Sequence, residues 1–374
     1  MLNFLYLLII LSQNLYKLKL IDLSDSQNLT ETSDFSGFPN IERLNFQGCT
    51  RLHELHPFVG GLKQLIQLNL KVCKCLENLP HELNLESLKI LILSGCSKLN
   101  KFPEIGSNMT SLLELYLDGT AIEELPSSIK HLTCLVLLNL QDCKNLLSFP
   151  SIICSLTSLE FLTLSGCKGQ QPIEALPYTG PEPEPRNPVP EPISLFLPSS
   201  FSGLGSLVSL DLSDCNLSDG ELPDDLSCLS SLKSLNLSKN NFTSLPDSIS
   251  ELSELKLILL DHCSQLKSLP YLPLSTQFVS ARGCSSLENY SNQVVVWTSG
   301  DAGFTLINCL GLADEEEGKI AEIYLLDIHF QPLWQRFMEV SLSLSLSLSC
   351  THKHALNIIF TFCLKYFAGA NSSN

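Results

Sequence analysis

Positive charge is scarce in this chain: 23 Lys and Arg stand against 39 Asp and Glu, a formal net charge of −16 over 374 residues. No basic cluster with interleaved aromatics occurs, so the electrostatic footprint of a nucleic-acid binder is missing and no nucleic-acid partner is expected. Phosphate-binding glycine loops are missing too. Neither G-x-x-x-x-G-K-[ST] nor G-x-G-x-x-G is found, which leaves no recognisable cradle for a nucleotide phosphate. H-E-x-x-H and G-x-S-x-G are equally absent. Cys73 and Cys75 have one residue between them, the wrong spacing for a redox C-x-x-C pair. Cys350, His352 and His354 would need a fourth ligand to hold zinc; His53 and His56 read as ordinary solvated histidines, and His262 is placed at the concave rim beside Asp261, where nothing requires a change of charge. The chain is accordingly read as non-enzymatic, with no catalytic residues, no cofactor and no metal. An acidic surface keeps such a protein soluble and favours basic partner surfaces.

What the chain does have is a repeat. The pattern L-x-x-L-x-L-x-x-C, followed by L-x-x-[LF]-P, recurs at intervals of 21 to 25 residues. Its sixth position falls at Leu23, Phe46, Leu70, Leu93, Leu117, Leu140, Leu164, Leu212, Leu237, Leu260 and Ala281. The fourth position, two residues earlier, is aliphatic in every turn. On an extended strand these two positions share one face, so both point into a core while positions three, five and seven point away from it. A buried aliphatic side chain contributes roughly 1.5–3 kcal/mol, whereas ordering a residue costs on the order of 1.5 kcal/mol. One turn cannot stand alone, and stability must come from stacking on its neighbours. The spacing predicts an α/β solenoid, a leucine-rich repeat horseshoe of about eleven turns with a parallel concave sheet.

Position nine reads Ser26, Cys49, Cys73, Cys96, Thr120, Cys143, Cys167, Cys215, Asn240, Cys263 and Cys284. Here the chain turns inward after the strand and leaves backbone N–H and C=O groups facing the core. A small side chain with hydrogen-bonding capacity suits that place. Eight of the fifteen cysteines fill this one slot, so the count reads as a ladder of buried thiols and not a disulfide framework. Stacked free thiols would mispair in an oxidising lumen, which favours a reducing cytosol or nucleus. The apolar run Met1–Leu11 faintly resembles a signal peptide but lacks a basic start and a small-residue cleavage site. It is too short to span a bilayer, and no integral membrane span is expected.

The expected organisation is an apolar leader over 1–14, repeats over 15–292, a partial post-repeat domain over 293–340 and a low-complexity, disordered tail over 341–374. The step from Leu164 to Leu212 is 48 residues, about two repeat lengths, yet holds no second strand pattern. The surplus, 171–193, contains Pro-Glu-Pro-Glu-Pro and reads as an extended excursion from the convex side. Beyond Asn289 the periodicity stops. Val294–Trp297 and Phe304–Cys309 read as strands in an incomplete β-rich segment, and Ser341–Ser349 is bare Ser-Leu alternation.

Most outward positions of the concave face are polar: Asn45, Gln47, Asn69, Lys71, Asn139, Gln141, Asp211 and Asn236. Against that background Ile90, Ile92, Tyr116, Leu137 and Phe161 stand out at positions three or five of four successive turns. Parallel strands lie about 4.8 Å apart, so these side chains are expected to form one exposed apolar patch flanked by Glu114 and Asp118. An apolar cluster with a charged rim is a protein-interaction candidate, and an aromatic within it is a typical hot spot.

Together the L-x-x-L-x-L-x-x-C turns, the D-L-S-D-S-x-N-L opening at Asp22–Leu29 and the E-x-L-P-S-S-I segment at Glu123–Ile129 (with Leu245–Ile249 similar) resemble plant intracellular immune receptors. The likeness is to the leucine-rich region of receptors that also carry a Toll/interleukin-receptor domain and a nucleotide-binding domain. It covers roughly residues 15–312, and Phe304–Leu312 resembles the start of the domain that follows the repeats in that group. Since no phosphate loop precedes the repeats, the resemblance implies a truncated member. It implies a recognition module of innate immunity whose partner is a protein, either a pathogen effector or host immune-receptor domains, in the cytoplasm or nucleus. The competing class is an extracellular leucine-rich receptor-like protein, secreted or at the cell surface, binding a secreted ligand. That class predicts Asn at most ninth positions and G-x-I-P in the outer loops; only Asn240 and Gly220–Pro223 lean that way.

Overall fold

In the computed structural model, residues 17–169 and 195–288 are described in full, together with the backbone of 303–305. The leader over 1–14, the Pro-rich excursion over 171–193, most of 293–340, the tail over 341–374 and the Cys350–His354 cluster lie outside the described residues.

Fourteen short strands occur in chain order: β1 (Leu20–Asp22), β2 (Arg43–Asn45), β3 (Gln67–Asn69), β4 (Glu82–Leu83), β5 (Ile90–Ile92), β6 (Glu104–Ile105), β7 (Glu114–Tyr116), β8 (Leu137–Asn139), β9 (Phe161–Thr163), β10 (Ser209–Asp211), β11 (Ser234–Asn236), β12 (Leu257–Leu259), β13 (Phe278–Ser280) and β14 (Gly303–Thr305). All but β4 and β6 form one 12-stranded sheet, ordered as in the chain, and each pair is parallel. β4 and β6 pair with each other in the returning arms. Register never slips. The fourth-position residues align across the sheet, from Ile21 against Leu44 to Ile258 against Val279. A slip of one residue would turn the buried Leu row outward, so burial pins the register.

The core is a stack of apolar layers between the sheet and the returning arms. From the second turn onward, all sixth-position side chains, from Phe46 to Ala281, are completely buried. Outer arms carry Leu-Pro or Phe-Pro followed by a single 3-10 turn at Ser127–His131, Ser151–Ser155 and Asp247–Glu251, with a related turn at Pro57–Gly61. Proline before three of these turns holds the entry in extended backbone, and an isoleucine inside each, such as Ile129, plugs the core. There is no α-helix among the described residues, so 3-10 turns take the place of the helices in the expected α/β solenoid.

Two findings refine the expected organisation. β9 pairs directly with β10, Leu162 opposite Leu210, so the two strands are neighbours in the sheet despite the 48-residue step between Leu164 and Leu212. The chain rejoins on the outer side, where Phe149 N–H donates to the Phe196 carbonyl at 2.9 Å. β14 pairs with β13 in the same parallel register, placing Phe304 in line with Val279. The sheet therefore runs one strand past the last repeat that the sequence pattern reveals, because backbone pairing needs no leucine signature.

The ninth-position ladder exists as eight buried free thiols. Each S–H donates to the sixth-position carbonyl of the preceding turn: Cys73 to Phe46 at 3.1 Å, Cys96 to Leu70 at 3.2 Å, Cys143 to Leu117 at 3.1 Å. Asn240 does this job more fully. Its Nδ2 donates to the Leu212 and Leu237 carbonyls at 2.9 and 2.8 Å, and its Oδ1 accepts the N–H groups of Cys215 and Leu217 at 3.2 and 3.0 Å. Burial pushes the thiols up, Cys143 and Cys263 to about 11 and Cys96 to about 12, so they remain protonated donors.

A regularity at position eight supports the same turn. Every position-eight residue, whatever its type, has positive φ, from Asp25 at 56° to Gly283 at 68°. Five are glycine. The others include Val72 at φ 63°, where a β-branched side chain sits in the left-handed region at a steric cost. The geometry is imposed because the chain must reverse inward immediately after each strand.

Candidate functional site

Strand register decides which outward side chains touch. Position three of successive strands gives the row Ile90, Glu114, Leu137, Phe161, and position five gives Ile92, Tyr116, Asn139, Thr163. Ile90, Ile92, Tyr116, Leu137 and Phe161 come together as one cluster, separate from the main core.

The expectation that this cluster is exposed requires correction. Ile90, Ile92, Tyr116 and Leu137 are each no more than 9 % exposed, and only Phe161 remains half-buried. Glu114 is not a rim residue either, being 2 % exposed. The reason is the in-register parallel stacking itself. Each large outward side chain has a neighbour on both sides at strand spacing, about 4.8 Å, so a run of them shields its own members.

Glu114 and Tyr116 are two apart on β7 and therefore lie side by side on the open face. The Tyr116 hydroxyl donates to Glu114 Oε2 at 2.9 Å. Glu114 Oε1 is buried and has no hydrogen-bond partner. Desolvation dominates and pushes the Glu114 carboxyl up to about 7, partly opposed by the tyrosine hydrogen bond. Burial and the adjacent carboxylate raise the Tyr116 phenol, so it stays a donor.

Asp118 lies half-buried at the next outward position of the same turn. Its Oδ1 accepts from Ser94 Oγ at 2.7 Å and Asn139 Nδ2 at 3.1 Å. Desolvation raises its carboxyl, and the nearby Lys71 charge opposes this. Ser94 and Asn139 thus hold Asp118 in place. Sequence reasoning passed over Ser94 and left Asn139 in the polar background; row arithmetic over positions five and seven would have placed both next to Asp118.

Further along, the open face changes character. Asp211, Ser213, Asn236, Ser238, Asp261 and Ser280 are buried polar groups. They hold one another: Ser213 N–H on Asp211 Oδ1 at 2.9 Å, Ser238 N–H on Asn236 Oδ1 at 3.1 Å, Ser280 Oγ on Asp261 Oδ1 at 2.6 Å. The β5–β9 portion is apolar and acidic; β10 and β11 carry a largely self-bonded polar strip, and β12 and β13 turn Leu257, Leu259 and Phe278 outward beside the polar Asp261 and Ser280.

Among the described residues no group of His, Cys, Asp and Glu has the arrangement to hold a metal ion, and no helix is long and apolar enough to cross a membrane.

Comparison with known proteins places the repeats. Residues 84–176 match the family described as disease resistance protein RPS4B-like, leucine-rich repeats, and 206–229 and 231–252 match the general leucine rich repeat family. TMV resistance protein N of Nicotiana glutinosa is 39% identical in an alignment of 291 residues that covers 70% of this chain and 25% of that protein. Disease resistance-like protein DSC1 of Arabidopsis thaliana is 38% identical over 131 residues, 34% of this chain and 11% of that one. The chain therefore spans about a quarter or less of the length of these relatives. Among solved structures, the functional domain of InlJ from Listeria monocytogenes, which includes a cysteine ladder, aligns with a TM-score of 0.50 at 17% identity over 80% of this chain and 64% of that one. That likeness is one of fold.

Proposed function

We propose that this chain, whose leucine-rich repeats are similar to those of plant disease resistance proteins, is a non-enzymatic protein-recognition module of plant innate immunity. Its partner is a protein, a pathogen effector or the domains of a host immune receptor, and its working compartment is the cytoplasm or nucleus. The observation that carries the reading is the apolar and acidic stretch of β5–β9, where Ile90, Ile92, Tyr116, Leu137 and Phe161 cluster beside Glu114 and Asp118 on the face the core does not use. Large side chains there add nothing to the main core, and aromatic residues with a desolvated neighbour are the composition of binding hot spots. The free ladder thiols support the compartment, since a reducing environment keeps them unpaired.

The test couples binding to folding. Proteins crosslinked to the tagged chain in leaf cells are quantified for wild type and for Phe161→Lys, which alters the one half-buried member of the cluster. Loss of a specific partner with an unchanged melting temperature supports the reading, and partner recovery equal to wild type removes it. Fluorescence of the tagged chain in the cytosol or nucleus is expected; glycan attached to the exposed Asn108 would place it in the secretory route instead.

A further inference from the structure

Glu114 is the one ionisable side chain in the outward position-three row between Ile90 and Phe161, and its register neighbours on both sides, Ile90 and Leu137, are aliphatic. One carboxyl oxygen takes the Tyr116 hydroxyl; the other is buried and takes nothing. A buried acceptor without a partner costs the fold more than an apolar side chain of similar volume at the same place. The four ion pairs among the described residues lie elsewhere, at Lys19–Glu42, Lys63–Glu86, Lys98–Glu77 and Lys168–Asp214. Asp118 adds a second carboxylate on the same face, with Lys71 as its nearby cation. The surface is therefore an apolar floor with an unsatisfied acidic acceptor set in it.

Resting on the reading of this face as a protein-binding surface, we infer that its occupant is a peptide segment that brings an arginine or lysine head group to Glu114 Oε1, with apolar side chains seated against Ile90 on one side of that cation and against Leu137 and Phe161 on the other. A cation supplies the hydrogen-bond donor and the charge that the free chain lacks at this oxygen. Apolar flanks exclude water, which strengthens the pair. Because Oε1 is covered in the free chain, seating the partner includes rotamer changes in the cluster, an ordinary accompaniment of binding. Truncating one side of a desolvated charge pair lowers affinity by about thirtyfold or more.

The experiment selects random dodecapeptides displayed on phage against the full chain as wild type, as Glu114→Gln, as Phe161→Ala and as Tyr116→Ala/Phe161→Ala. Glu114→Gln keeps the shape of the side chain, so folding is preserved and the melting temperature confirms it. The expected wild-type pool is rich in Arg or Lys flanked by Leu, Ile or Phe. Replacing that Arg with citrulline in a selected peptide is expected to weaken binding to wild type about thirtyfold and to leave binding to Glu114→Gln unchanged. A pool that depends on Phe161 but shows no basic enrichment overturns the cation inference and leaves the protein-binding face standing. A pool indifferent to the Phe161 and Tyr116 changes, or no pool at all, overturns both.

Discussion

Replacing Glu114 with Gln is expected to flatten the pH dependence of stability between pH 5 and pH 8. The Glu114 carboxyl is pushed from an ordinary 4.5 up to about 7, chiefly by desolvation. With the folded value above the unfolded one, the native state holds the proton more tightly. The associated stability is fully present below about pH 4.5 and is lost as pH rises through about 7. A gap of that size corresponds to about 2–3 kcal/mol after allowance for partial solvent screening. At pH 5 the protonated acid and the amide are near-isosteres, and the two proteins will unfold at similar urea concentrations. At pH 8 Glu114→Gln will be the more stable by about 2–3 kcal/mol. Asp118, Asp211 and the surface carboxylates titrate in both proteins and drop out of the difference. Urea unfolding followed by circular dichroism at half-unit pH steps provides the measurement, and hydrogen exchange at the β7 amides gives a local readout that does not depend on two-state behaviour in a repeat array. Parallel curves for the two proteins would refute the assignment of a buried, under-partnered carboxyl.

The ladder thiols Cys96, Cys143 and Cys215 will resist a bulky maleimide in the native state while the exposed Cys134 reacts, as mass spectrometry of labelled peptides will show; Cys143→Lys will cost several kcal/mol, on the order of 3–5, because it buries a charge without a partner. Asn240→Ala removes its bonds to five backbone groups and will lower stability by about 2–4 kcal/mol in urea titrations, whereas Asn240→Cys, which restores the ladder chemistry of the other turns, will recover part of that loss. Val72→Gly will raise the unfolding midpoint by the equivalent of about 1 kcal/mol, since it relieves a β-branched residue from φ 63°; no change would mean that this turn tolerates the side chain without strain.

Much of the architecture was legible because the repeat encodes it twice, once in side-chain alternation and once in spacing. Leu at positions four and six marks the strand and its buried face, and Cys, Thr or Asn at position nine marks the inward turn. Position eight was legible only where it is glycine, as at Gly48, Gly95 and Gly166. Asp142, Lys239 and His262 adopt the same positive φ without a compositional sign, because neighbouring turns impose the reversal on whatever residue stands there. β14 was invisible as part of the sheet since Gly303–Thr305 follows no complete leucine pattern, and its place is set by the exposed edge of β13.

At the candidate site the division is sharper. From the sequence alone came the parallel solenoid, the thiol ladder, the identity of the outward side chains and, through a two-residue period with one strand per turn, the adjacency of Ile90, Ile92, Tyr116, Leu137 and Phe161. Those follow from local periodicity, which the sequence carries directly. Tertiary structure decided how deeply each of them sits. Side-by-side stacking in register lets the outward residues cover one another, turns Glu114 from an expected rim charge into a buried acid, and leaves one of its oxygens without a partner. Burial is a property of neighbours three-dimensionally assembled, and a carboxyl's proton affinity depends on that desolvation.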